Sequence, residues 1–453
     1  MAKARLSLAR LIKDRFMPEP RTSPVPSGRW SRLARLGSLA TGVAGGMLAE
    51  GARQLAQGKR PKLSDLLLTP ANARRVANQL AQLRGAAMKV GQLISMDAGD
   101  LLPPELVSIL ARLRSDARPM PKKQLESVLV ANWGPDWHKQ FRQFSFAPIA
   151  AASIGQVHQA HTLDGRHLAI KIQYPGVRQS IDSDVDNVAT LLRLSGLLPK
   201  NLDIAPLLKD AKRQLHDEAD YLREGAHLQR YGSLLSQAPE YLVPALHADL
   251  TTQSVLAMSF VDGVEVESLA GAPQAERDRI AGLLIHLLMR ELFEFRLVQT
   301  DPNFANFRYA PITGQLVLLD FGATRPFKVR MVAGFRRLMA AASMGDRAAM
   351  SVAAQQIGYF DEHTQAHHQN AVLDIFEQAF KPLRFKGPYD FGASDLPRRI
   401  HETGLALGLD RTFWHVPPSD VLFLHRKLGG LYLLAARLKA RVNVQALARD
   451  FLR

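Results

Sequence analysis

From about residue 141 the apolar positions follow a strand-like rhythm. In FSFAPIAAASIGQVHQAHTLDGRHLAIKIQYPG, Val157 and Ala160 and then Leu168, Ile170 and Ile172 carry it. Leu163-Asp164-Gly165-Arg166 punctuates the run, so two strands joined by a turn are predicted. Upstream the rhythm is helical instead: Val76, Leu80, Leu83, Ala87, Val90 and Leu93 recur at three- and four-residue steps. Pro103-Pro104 interrupts that region and WGPDW at 133–137 turns the chain into the strands. Downstream, helices are predicted at about 177–196, 203–236 and 273–296. Strands are predicted near 242–243 and 255–260. From about 327 onward the pattern is again mostly helical, with a loop-rich insert at 382–397.

The pattern divides the chain into four parts. Residues 1–28 read as a flexible basic arm closing on Pro24, Pro26 and Gly28. Residues 29–140 read as a helical extension, 141–263 as a strand-rich lobe with a helix inserted, and 264–453 as a helical lobe.

Composition narrows the chemistry. At 453 residues, 47% apolar and 22% charged, the chain has the make-up of a globular protein. It has no cysteine, which excludes disulfides, thiolate metal sites and a cysteine nucleophile. The net charge of +16 favours polyanionic partners such as anionic lipid or nucleotide. No zinc-finger, RNP or helix-turn-helix pattern turns that charge toward nucleic acid. Basic residues crowd both ends: Lys3, Arg5, Arg10, Lys13 and Arg15 at the start, and Arg426, Lys427, Arg437, Lys439 and Arg441 near the close. Taken singly, each is expected on a solvated surface. The stretch nearest to a membrane span, Leu36–Ala49, is uncharged and rich in small residues but only 14 residues long, short of the roughly 18 that a span needs. Its Gly42 and Gly46 stand four apart, a spacing suited to close helix packing within the chain or in a homodimer.

The chemistry concentrates at LVQTDPNFANFRYAPITGQLVLLDFG, residues 297–322. Asp301 is followed five residues later by Asn306, and Asp320 opens an Asp-Phe-Gly triplet after the apolar run Leu316–Leu319. Phosphoryl transfer uses such a set: one carboxylate near the attacking oxygen, and an amide and a second carboxylate as hard ligands for Mg²⁺. Each piece alone is a weak signal; in this order and with this short link they are specific. A strand lysine is then expected upstream, and Leu168-Ala169-Ile170-Lys171 supplies one. A helical glutamate should orient that lysine. Glu218 and Glu224 are both candidates, roughly 120° apart around a helix, and spacing does not choose between them. Asp220 and Glu224 share a face. Where a glycine-rich phosphate loop is usual, the chain has Ala150-Ala151-Ala152-Ser153-Ile154-Gly155-Gln156. Alanine lacks the positive-φ freedom of glycine, so this loop is expected to be stiffer over the phosphates of ATP. The fold class expected is α+β: a bilobal protein-kinase-like fold with a helical N-terminal extension and a mostly helical C-lobe.

These residues carry a family resemblance. The chain resembles the UbiB family of atypical kinases, in the branch associated with coenzyme Q (ubiquinone) biosynthesis. The alanine-rich loop, Lys89-Val90-Gly91-Gln92 as a K-x-G-Q motif, Glu218-Ala219-Asp220 as an E-x-D motif, TDPNFANF, LLDFG and the C-terminal LHRKLGGLYLLAARLKARV all match it. The likeness covers roughly residues 30–445. It implies that Lys89 and Gln92 reach into the cleft beside Glu218 or Asp220 and restrict access. It also implies Mg²⁺-dependent ATP hydrolysis in place of ordinary protein phosphorylation, in support of quinone-pathway lipids or enzymes at an anionic membrane surface. On that pattern adenine lies against the hinge at Met258, Ser259 and Val261, with Ser259 standing where an acidic residue is common. Ala150, Ala151, Ala152, Ser153 and Gln156 cover the phosphates. Lys171 pairs with them, Asn306 and Asp320 hold Mg²⁺, and Asp301 orients the attacking oxygen. The implied location is cytoplasmic and peripheral to the inner membrane, or the mitochondrial matrix in a eukaryote. A kinase for a small molecule, lipid or protein, and a nucleotide-sensing scaffold, are the alternatives.

Overall fold

The computed structural model describes Val90 and residues 119–194 and 204–452, except Pro302, Pro397, His401 and 403–416. Lys89, Gln92, the basic arm and the Gly42–Gly46 segment lie outside the described residues. The chain divides into two compact units, one running to Leu215 and the other from His216.

In the first unit, helix α1 (Lys122–Trp133) ends at Gly134, whose φ of +83° suits glycine. Trp133, Trp137, Phe141 and Phe144 then pack as a ring cluster, with Trp137 and Phe144 centroids 5.2 Å apart. Strands β1 (Phe141–Phe144), β3 (Gly155–Thr162) and β4 (His167–Gln173) form an antiparallel sheet, and the two-residue β2 (Ala150–Ala151) adds to β3. The predicted hairpin is present, with Gly165 at φ +89° in its turn. Leu168, Ile170 and Ile172 are wholly buried on one face of β4, so Lys171 projects from the other. Helix α2 (Val177–Leu194) follows.

The single helix expected over 203–236 is two: α3 (Ala205–Glu218) and α4 (Tyr221–Leu234). The break is made by Asp220, whose carboxylate accepts from Arg223 N and caps α4. In the second unit, β5 (Tyr241–Leu242), β6 (Val255–Ser259) and β7 (Val264–Glu265) precede α5 (Gln274–Arg290). The helix expected to reach 296 instead widens into a π-turn over Glu291–Phe295 and stops at Arg296, which is left-handed at φ +50°. Strands β8 (Leu297–Gln299), β9 (Phe307–Ala310), β10 (Gln315–Leu318) and β11 (Thr324–Pro326) follow. Helices α6 (Val329–Met344), α7 (Arg347–Ile357), α8 (Ala366–Ala379) and α9 (Ser419–Arg437) make up most of the rest. Among the described residues, no helix is long and apolar enough to cross a membrane.

Candidate active site

Two antiparallel registers build the candidate catalytic corner. Strands β9 and β10 pair with Phe307 opposite Leu318, and Leu319 N donates to Asn306 O at 3.0 Å. The residue before β9 and the residue that follows Leu319 therefore come to the same end of the hairpin, which places Asn306 beside Asp320. Strands β8 and β11 pair with Gln299 opposite Thr324, and both Thr300 N and Thr300 Oγ1 donate to Ala323 O. That register carries Asp301 toward Gly322.

Hydrogen bonds then fix the side chains. Asp301 Oδ1 accepts from Asn303 N at 3.3 Å, and Asp301 Oδ2 accepts from Asn306 Nδ2 at 3.2 Å. Because the amide nitrogen of Asn306 is committed to Asp301, its oxygen is left as the ligand atom. Asp320 Oδ1 accepts from Gly322 N at 2.9 Å, which shapes the turn after β10. An amide oxygen and a carboxylate are hard donors that suit Mg²⁺, which needs only one or two protein ligands beside phosphates and water. The residues present therefore fit the metal.

Helix α4 closes the other side of this corner. Glu224 is 1% exposed in its first turn. A Cβ built on Gly322 would lie 3.3 Å from Asp320 Oδ1, 3.4 Å from Glu224 Oε2 and 3.6 Å from Glu218 Cγ. Both candidate glutamates thus flank the Asp-Phe-Gly turn. Arg223 donates to Gly322 O at 3.1 Å and Thr324 O at 2.7 Å, and Arg325 pairs with Asp217 at 3.4 Å. These bonds tie the start of α4 to the segment after Asp320. Asp220, besides capping, accepts from Gln253 Nε2 at 3.1 Å.

Lys171 and the alanine loop belong to the first unit. Val157 pairs with Ala150 on one side and with Lys171 on the other. Ala150, Val157 and Lys171 therefore form one row across the sheet, with side chains on the same face. Lys171 is only 8% exposed, whereas Ala150 and Ala151 are open. The loop tip Ala152–Gly155 is closed by Ala152 N donating to Gly155 O at 2.9 Å. Gln156 turns inward: its Oε1 accepts from Met120 N at 2.9 Å and its amide meets His158 Nε2 at 2.7 Å. His158 Nδ1 in turn meets Ser145 O at 2.7 Å, and burial lowers its pKa to about 4. A neutral ring donating to Ser145 and accepting from Gln156 satisfies both contacts.

At the expected hinge, Met258 is buried and Val261 half-buried. Ser259 N donates to Ala245 O and its hydroxyl meets His247 Nε2 at 3.1 Å, so that N–H is already committed.

The chain is similar to known proteins along most of its length. The model of the ABC1 atypical kinase-like domain matches residues 112–354. The chain is 37% identical over 432 residues to the mitochondrial atypical kinase COQ8 of Saccharomyces cerevisiae, covering 95% of this chain and 86% of the relative. It is 38% identical to the mitochondrial atypical kinase COQ8B of Rattus norvegicus, covering 98% and 85%. The chain belongs to the UbiB (ABC1) family of atypical kinase-like proteins. In fold it is also similar to Rv3197 of Mycobacterium tuberculosis, solved with erythromycin, with a TM-score of 0.59 at 24% identity over 84% of this chain and 97% of that one.

Two functional-site neighbours escaped the sequence reading of this UbiB chain. Lys427, expected on a solvated basic surface, is 2% exposed, and Glu291 is 1% exposed. The signal lay in the helical spacing. Lys427 falls three residues after Leu424 and four before Leu431, and Glu291 continues the stripe Ile280, Leu284, Leu287; all of these leucines and Ile280 are buried. An acid and a base, each on an apolar stripe, point to a buried pair.

Proposed function

We propose that this UbiB-family protein turns over ATP with Mg²⁺, passing the γ-phosphoryl group to water, in support of quinone biosynthesis at an anionic membrane surface. The convergence of Asp301, Asn306 and Asp320 through the β8–β11 and β9–β10 registers carries the reading. Asn306 and Asp320 would hold Mg²⁺, which neutralises phosphate charge when bound. Asp301 orients the attacking oxygen, with its own orientation set by Asn303 and Asn306. On the family likeness, Lys171 is assigned the positive charge for the phosphates, and Ala150–Ala151 the place of a flexible glycine loop. The membrane role rests on the +16 net charge and on the family likeness.

Phosphate release from ATP, measured with and without anionic liposomes, tests this. Mg²⁺-dependent release that rises with liposomes is expected. A labelled protein or small-molecule product would move the reading to a kinase. Tight nucleotide binding with no turnover would leave only a scaffold.

A further inference from the structure

Beneath the catalytic corner lies a buried charge pair that the chemistry does not call for. Lys427 on α9 and Glu291 at the π-turn after α5 are 3.4 Å apart. Taking two charges out of water costs several kcal/mol each, and a well-packed apolar pair is often as stable. The pair is therefore expected to do something other than stabilise.

Its contacts show what it holds. The Lys427 ammonium donates to Gln299 O at 2.7 Å and to Gln299 Oε1 at 2.9 Å, and it faces Glu291 Oε2 as an ion pair. Gln299 stands two residues before Asp301. Among the described residues, strand β8 has a strand neighbour only in β11, and Lys427 takes the Gln299 carbonyl in place of a second ladder. The same ammonium lies 5.2 Å from the ring centroid of Phe307, the residue after Asn306. Lys427 thus touches both stems of the loop that runs from Asp301 to Asn306. Glu291 Oε1 accepts from Tyr231 OH at 2.9 Å and from Gln299 N at 3.4 Å. Tyr231 lies on α4, the helix of Glu224, and its ring packs 4.7 Å from Phe321 of the Asp-Phe-Gly turn. Burial lifts the Glu291 carboxyl above its ordinary range, against the pull of Lys427 and Tyr231.

We propose that Lys427, oriented by Glu291, is a positioning residue that sets the spacing of Asp301, Asn306 and Asp320. One point charge holds the Gln299 carbonyl on one side of the loop and faces the Phe307 ring on the other, and through Glu291 and Tyr231 the same cluster reaches α4 and the Asp-Phe-Gly turn. Apolar side chains could fill the space but could not bond the Gln299 carbonyl on β8. The proposal rests on the ATP-turnover reading above for its kinetic consequence, and on the contacts alone for its structural one.

The test is the full-length double variant Glu291→Gln with Lys427→Met, compared with wild type. The uncharged pair removes the buried-ion cost, and the amide oxygen that replaces the Glu291 carboxylate still accepts from Tyr231 and Gln299. The expected result is a melting temperature within a few degrees of wild type. Turnover per nucleotide-binding site is expected to fall by ~10–100-fold, the scale of loss from an ångström-sized misplacement. Hydrogen exchange at the amides of 297–301 should quicken while the β3–β4 amides stay as they were. Wild-type turnover in the double variant would overturn the proposal, as would unchanged exchange at 297–301. If wild type itself does not hydrolyse ATP, the turnover reading fails on its own, and the exchange result still decides whether Lys427 orders β8.

Discussion

Gly155 shows how closely single residues are specified. A Cβ there would come 2.3 Å from Ile172 O, the backbone of the strand that carries Lys171, and backbone cannot swing aside. Gly155→Ala is expected to destabilise the sheet unit by about 1–3 kcal/mol, as overpacking does. A thermal melt would show it, and an unchanged melting temperature would mean the strands are not so close. At this scale the corner of Asp301, Asn306 and Asp320, which the strand registers bring together, was legible as residue types at fixed spacings. Glu291 and Lys427 were not, because a lysine among arginines near the chain's end reads as surface charge. Helical spacing sets Lys427 on the apolar stripe of Leu424 and Leu431, but what it holds there depends on contacts remote in sequence, such as Lys427 with Gln299.

Among the elements, the β3–β4 hairpin and its register were readable because alternation and a glycine turn fix both. The kink between α3 and α4 was missed, because Asp220 looks like any helix acid until its carboxylate is seen to cap Arg223 N. The strand β2 was also missed, since two alanines carry no alternation of their own and follow β3 only by pairing. The sheet has a measurable acid weakness. His158 is wholly buried, and its ring stays neutral down to about pH 4, whereas in the unfolded chain it takes a proton near 6.5. Its contribution is complete above pH 6.5 and is lost as the pH falls from there to about 4, a difference on the order of 3 kcal/mol. Melting temperatures of wild type and His158→Gln across that range should converge as the pH falls. A constant gap between the two curves would show that His158 does not titrate differently on folding.

For the molecule as a whole, the α+β, kinase-like organisation followed from the order of strand and helix patterns, and the family match agrees with it. The two compact units divide at Leu215–His216, within α3, a boundary that periodicity does not mark because the helix runs through it. What the molecule brings together in its second unit is a corner of oxygen ligands around the Asp-Phe-Gly turn, and the account depends on that corner handling Mg·ATP. The most direct measurement is steady-state phosphate release from Mg·ATP by wild type and by Asp320→Asn, with nucleotide binding followed in parallel. Asp320→Asn is expected to reduce Mg²⁺-dependent release to background while ATP binding persists at higher concentration. Undiminished release from Asp320→Asn would contradict the account, because Asp320 is the carboxylate that the β9–β10 register sets beside Asn306.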